Sequence, residues 1–146
     1  GSRDKHAGFS SQNGSYIMEF VALLLSSLLF GGMTLYSFGF AAFVFSALPP
    51  DLSGNTIRQA FPHFYIFVLA TSAISATLLY FLDPVAAAVM VIISVTTIPT
   101  RQILMPAINK ASDSGARRRF KILHSLSVLI TLGQIIGSGY VLTRFV

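Results

Sequence analysis

The run FVALLLSSLLFGGMTLYSFGFAAFVF, Phe20 to Phe45, contains no charged residue and decides the fold class. An α-helix rises about 1.5 Å per residue, so roughly 20 apolar residues cross a hydrocarbon core of about 30 Å. This run exceeds that length, which predicts a tilted span or one whose end projects into the headgroups. It is too long for the apolar core of a signal peptide and begins beside Glu19 instead of a basic segment, so it reads as a retained helix.

Working outward, three further runs meet the same criterion: Phe64 to Leu82, Pro84 to about Ile98, and Leu123 to Leu142. The third extends toward Met105 if Pro99 kinks the helix instead of ending it. Only Asp83 and Pro84 part the second span from the third, which predicts a tight helical hairpin with Pro84 in the first turn of the later helix. The expected fold is all-α, an integral membrane four-helix bundle in a single domain over residues 18–146. The polar Ser- and Gly-rich stretch over residues 1–17 reads as an appended remnant or a processed end. In the first loop, Thr56-Ile57-Arg58-Gln59 has the spacing of a capping box, which predicts Thr56 as the cap of a helix leading into Phe61-Pro62.

Composition agrees with the spans. Of 146 residues, 53% are hydrophobic and 10% charged, against about a quarter charged in a soluble domain. The 10 Lys and Arg against 5 Asp and Glu are too few and too scattered for a nucleic-acid face. With no cysteine there is no disulfide framework, thiolate metal site or cysteine nucleophile. No Asp, Glu, Lys or Arg lies in the middle of a span, which argues against ion-coupled transport. Glu19, Asp51, Asp83 and Asp113 are too dispersed to build an acid–base or nucleophile–base site, so no enzyme is expected.

Orientation follows from basic residues in short loops. Arg58, Arg101, Lys110, Arg117, Arg118, Arg119 and Lys121 fall on one side; Arg3, Lys5 and Arg144 fall on the other. The excess places the first side in the cytoplasm or matrix and both termini outside. The membrane would be a bacterial inner membrane or an organelle membrane such as the mitochondrial inner membrane. Arg117, Arg118, Arg119 and Lys121, just before the fourth span, are the expected contact with anionic lipid.

In the fourth span His124, Ser127, Thr131, Gln134 and Ser138 recur at helical spacing on one face. Lipid does not satisfy polar groups, so this stripe faces other helices or a wet cleft, as interhelical hydrogen bonding or as the lining of a passage. Gly133 and Gly137 form a GxxxG, and Ser27, Gly31 and Thr34 repeat the small-residue pattern in the first span; both read as close helix packing within the chain. In the third span Met90, Ser94, Thr97 and Arg101 share a face, which puts Arg101 over the bundle mouth. His63 and His124 open the second and fourth spans on one side, a geometry that permits a shared haem or metal site as a minority reading; otherwise no cofactor is expected.

Several segments together resemble the transmembrane-protein-205-like family: Gly32 with Tyr36-Ser37-Phe38, Leu48-Pro49, Gln59-Ala60-Phe61-Pro62, Pro106 with Ile108-Asn109, and the run from Phe120 to Ser127. The resemblance covers about Met18 to Leu142. It implies a four-span membrane protein of unknown biochemical function, and it points toward transport because a mammalian relative is associated with drug resistance. Three function readings follow. The first is a non-catalytic accessory or assembly subunit that packs with other subunits of a larger membrane complex. The second is a carrier or efflux accessory for a small apolar or amphipathic compound, and the third is the histidine-bound haem or metal.

Overall fold

The computed structural model describes the backbone of residues 2–146 and the side chains from Gln12 onward. Six α-helices follow one another: α1 (Ser2–Thr34), α2 (Ala41–Ala47), α3 (Pro50–Tyr80), α4 (Pro84–Pro99), α5 (Met105–Asp113) and α6 (Arg117–Thr143). A π-helical segment, Leu35–Phe40, joins α1 to α2, and a second, Thr100–Leu104, joins α4 to α5. The chain therefore makes four continuous helical rods, each long and apolar enough to cross a membrane. The protein is an all-α integral membrane four-helix bundle, without a strand among the described residues. The first rod, Gln12–Ala47, has 36 residues, about 54 Å of helix, so it must tilt or project beyond the hydrocarbon.

The connections explain the rods' antiparallel order. Asp83 caps α4 by accepting hydrogen bonds from the backbone N–H groups of Val85 and Ala86, and Pro84 occupies the first helical turn, where its missing N–H costs nothing. The expected hairpin is present. At the opposite end α5 closes in a Schellman motif: Gly115 takes φ +70°, its N–H donates to Ser112 O, and Ala116 N–H donates to Ala111 O.

Two expectations about loops are corrected. Thr56 caps nothing, because α3 already starts at Pro50; Thr56 lies within the helix, and its hydroxyl donates to Leu52 O one turn earlier. The segment carrying Arg101 and Lys110 is helix, not loop. Pro99 bends the rod without ending it, since the π segment between Pro99 and Pro106 takes up the lost backbone bonds. Only Ser114 to Ala116 separate α5 from α6.

Helix α3 is the most buried rod and packs along α4 and against α1. Leu29 and Met33 of α1, Phe64, Val68 and Leu79 of α3, Met90 and Ile93 of α4, and Ile135 and Val141 of α6 form a continuous core. Gly32 leaves room for the Phe67 ring of α3: a Cβ there would lie 2.8 Å from it.

Candidate functional site

The two π segments and Pro62 lie at one level of the bundle, where Tyr36 and Arg101 of the π segments contact α3. Pro62 has no N–H, so the Arg58 carbonyl one turn earlier lacks its usual helical donor, although α3 stays helical through this point. Side chains from both π segments bond to α3 carbonyls at this level. The Tyr36 hydroxyl donates to Ala60 O at 2.9 Å, and Arg101 Nε donates to Pro62 O at 3.4 Å. Arg101 thus faces α3.

Toward the basic end from this level, the bundle splays and leaves a cavity of ≈ 350 Å³ between α2, α3, α5 and α6. Its walls are mainly apolar and aromatic, with Phe38, Phe45, Phe61, Tyr65 and Phe120 among them. The aromatic wall is stiffened by contacts within itself. Phe61 packs edge-on against Phe64, and Tyr36 stacks on Phe64 with ring centroids 5.0 Å apart. Into this apolar space the chain sets a few polar groups: Ser37, Arg58, Asn109, Ser112, His124, Ser127 and Thr131. The Tyr65 hydroxyl and Ser127 Oγ lie 3.5 Å apart. Ser37 Oγ is buried and has no hydrogen-bond partner. Arg58 sits at the rim, donating through one terminal nitrogen to Asn109 O at 3.2 Å and to Asp113 Oδ1 at 2.7 Å. An apolar pocket with a few convergent polar groups is the usual form of a small-molecule site.

The polar stripe of α6 divides at this point. His124, Ser127 and Thr131 line the cavity. Gln134 and Ser138 do not: Gln134 is buried against α4, and its Nε2 donates to Thr96 Oγ1 at 2.9 Å, Thr97 Oγ1 at 3.1 Å and Ile93 O at 3.3 Å. Ser138, fully buried, donates to Ile135 O of its own helix. The interhelical bonding expected of the stripe is thus made by Gln134, while its first three members border the cavity.

The small-residue faces need correction. Ser27, Gly31 and Thr34 are exposed, and nothing lies within 4 Å of a Cβ placed on Gly31. Thr34 satisfies its hydroxyl on Phe30 O. The face of α1 that packs inward carries Ala22, Ser26, Leu29 and Met33 instead. In α6 the GxxxG does not act as a unit: Gly137 meets Val89 of α4, whereas Gly133 is exposed with open space beside it.

His63 and His124 do not share a site. His124 lines the cavity described above, with its ring edge-on to Phe120 at 5.6 Å. His63 opens on a different groove, beside Tyr36, Phe64 and Phe67. Two residues apart on α3, His63 and Tyr65 point to opposite sides of the helix, so the aromatic wall stands between the imidazoles. No cluster of three or more metal-ligating side chains occurs among the described residues.

Arg117, Arg118, Arg119 and Lys121 are exposed on the first turns of α6 and make no ion pair among the described residues. At the far end Asp83, Arg144 and Glu19 border one polar recess. Arg144 forms a two-point pair with Asp83, Nε to Oδ2 at 2.5 Å and Nη2 to Oδ1 at 3.1 Å. The hydrogen bond from Arg144 holds the Asp83 carboxyl below the usual carboxylate range, against a smaller opposing effect of burial.

Sequence reasoning passed over Ser37, Phe61, Tyr65 and Asn109 as site residues, and it used Arg58 only for orientation. A signal was present. Of the segments that carry the family resemblance, Ser37-Phe38, Phe61, Ile108-Asn109 and the run from Phe120 to Ser127 contribute residues to the cavity wall, whereas Gly32, Leu48-Pro49, Gln59-Ala60 and Pro106 do not. Compared with known proteins, residues 24–117 match a family described as domain of unknown function (DUF4149). No curated protein and no solved structure matches the chain.

Proposed function

The chain belongs to the DUF4149 family, described only as a domain of unknown function, and on that premise we propose that it is a non-catalytic membrane protein that binds or carries a small amphipathic compound. The observation that carries this reading is the cavity at the basic end, whose volume of ≈ 350 Å³ lies in the range of about 300–1,000 Å³ of small-molecule pockets. Ser37 Oγ, buried there without a partner, supports it, because an orphaned hydroxyl is costly until a ligand or water satisfies it. The presence of part of the resemblance-bearing sequence in the cavity wall, Ser37-Phe38, Phe61, Ile108-Asn109 and Phe120 to Ser127, is consistent with the transmembrane-protein-205-like assignment and its link to transport.

In this reading both termini face outward, and the cavity opens toward the cytoplasmic or matrix leaflet of a bacterial or organelle inner membrane. Arg117, Arg118, Arg119 and Lys121 then meet anionic headgroups. The test uses the full chain in zwitterionic nanodiscs titrated with Nile red. Saturable binding above that of empty discs, abolished by Ala41→Phe with Ser127→Phe at unchanged helicity, is expected. Binding unaffected by the plug overturns the assignment.

A second reading, the accessory subunit packed among other membrane proteins, is favoured by the exposed small-residue surface of Ser27, Gly31 and Gly133. Such positions let a partner helix approach closely. Native mass spectrometry from mild detergent decides it, and a lone monomer or homodimer under conditions that preserve known complexes removes it.

A further inference from the structure

Resting on the cavity reading above, we infer that the ligand is a single-chain anionic amphiphile, its chain against the aromatic wall and its acidic head on Arg58. Charge is the first argument. No carboxylate lines the cavity among the described residues, and its rim carries a guanidinium. Arg101, Lys110 and the cluster from Arg117 to Lys121 stand at the same end and add positive potential to a low-dielectric cleft, which attracts an anion and repels a cation.

Arg58 itself supplies the second argument. Among the described residues its hydrogen bonds all come from Nη2, to Asn109 O and Asp113 Oδ1, so Nη1 and Nε keep donors for another acceptor. A guanidinium offers five donors in a planar fork suited to a carboxylate. Its present carboxylate partner is loosely held: Asp113 is 65% exposed and Arg58 34% exposed, so the pair is of the weak, screened kind. An incoming acid head exchanges for Asp113 or adds to it. The third argument is size, since ≈ 350 Å³ is at the low end of the range for small-molecule sites and holds one short chain, not two.

The test measures displacement of dansyl-undecanoate from the full chain in zwitterionic nanodiscs, at a pH where the acid is ionised. The competitors are dodecanoate, dodecanol and dodecyltrimethylammonium, which share a chain and differ in head charge. Dodecanoate is expected to displace at a concentration about tenfold below the others, as a charge-assisted hydrogen bond implies. Arg58→Gln removes that preference. Asp113→Asn removes the internal competitor and tightens dodecanoate about threefold, a gain that loss of structure does not produce. Equal displacement by all three overturns the anionic class while the cavity reading stands; abolition of probe binding by anionic diacyl lipid in the disc overturns the single-chain assignment instead and gives the site to a bilayer lipid. If dansyl-undecanoate and Nile red both fail to bind saturably, the cavity reading itself falls.

Discussion

Replacing Gln134 with leucine separates helix packing from ligand binding, because Gln134 lies outside the cavity yet ties α6 to α4. Its amide nitrogen has two hydrogens and three acceptors within reach, at 2.9, 3.1 and 3.3 Å, so the substitution removes about two hydrogen bonds. The acceptors do not become orphans. Thr96 keeps its bonds to Ile92 O and Ile93 O, and Thr97 keeps its bond to Ile93 O. Interhelical hydrogen bonds in membranes average about 0.6 kcal/mol, which gives a loss of about 1 kcal/mol, with leucine refilling most of the volume. Reversible unfolding in mixed micelles reads the stability, and Nile red titration of the same preparation reads binding. Lower stability with unchanged affinity is expected. Lost affinity at full stability refutes the division of the α6 stripe at Thr131 and returns Gln134 to the binding site.

Three further outcomes follow from the geometry. Gly137→Leu drives a side chain into Val89, whose Cγ1 would lie 3.3 Å from a Cβ at that position, and should cost about 1–3 kcal/mol; Gly133→Leu meets open space and should stay within about 0.5 kcal/mol in the same unfolding assay. Asp83→Ala should destabilise more than Arg144→Ala, since it removes the α4 cap, about 1 kcal/mol, as well as the ion pair. Because the Asp83 carboxyl is held below its ordinary range in the folded chain, the pair's contribution is complete above that range and fades as acidification approaches the lowered value; urea midpoints of wild type and Arg144→Ala should converge there. For orientation, Ser46→Cys and Ser112→Cys should react only from inside and Ser15→Cys only from outside; labelling of Ser112→Cys in intact cells by an impermeant reagent inverts the assignment.

What the sequence made legible was whatever leaves a mark in one dimension. Uninterrupted apolar length marks the four rods, and Asp83-Pro84 marks the hairpin. Facing was harder to read. When lipid and core are equally apolar, a row such as Ser27, Gly31 and Thr34 does not reveal which of the two it meets, and here it meets the outside. The π segments were also hidden, since no residue type encodes one; Pro99 signalled a bend but not the extra residue per turn that carries the helix through to Asp113. The polar members of the cavity on α6 were visible as a stripe, whereas Ser37, Phe61, Tyr65 and Asn109 belong together only once the rods are assembled. The imidazoles of His63 and His124 share a membrane side, but the phase of α3 turns them to different grooves.

The claim that the splayed end of the bundle is a binding site is tested most directly by photo-crosslinking. A single-chain amphiphile with a diazirine in its chain is irradiated with the full chain in nanodiscs, and the adducts are mapped by tandem mass spectrometry. The account predicts saturable labelling concentrated on Phe38 to Phe45, Phe61 to Tyr65 and Phe120 to Thr131, competed by unlabelled amphiphile. Labelling spread over exposed Leu24, Leu28, Ile92 and Ile136, without competition, would contradict it.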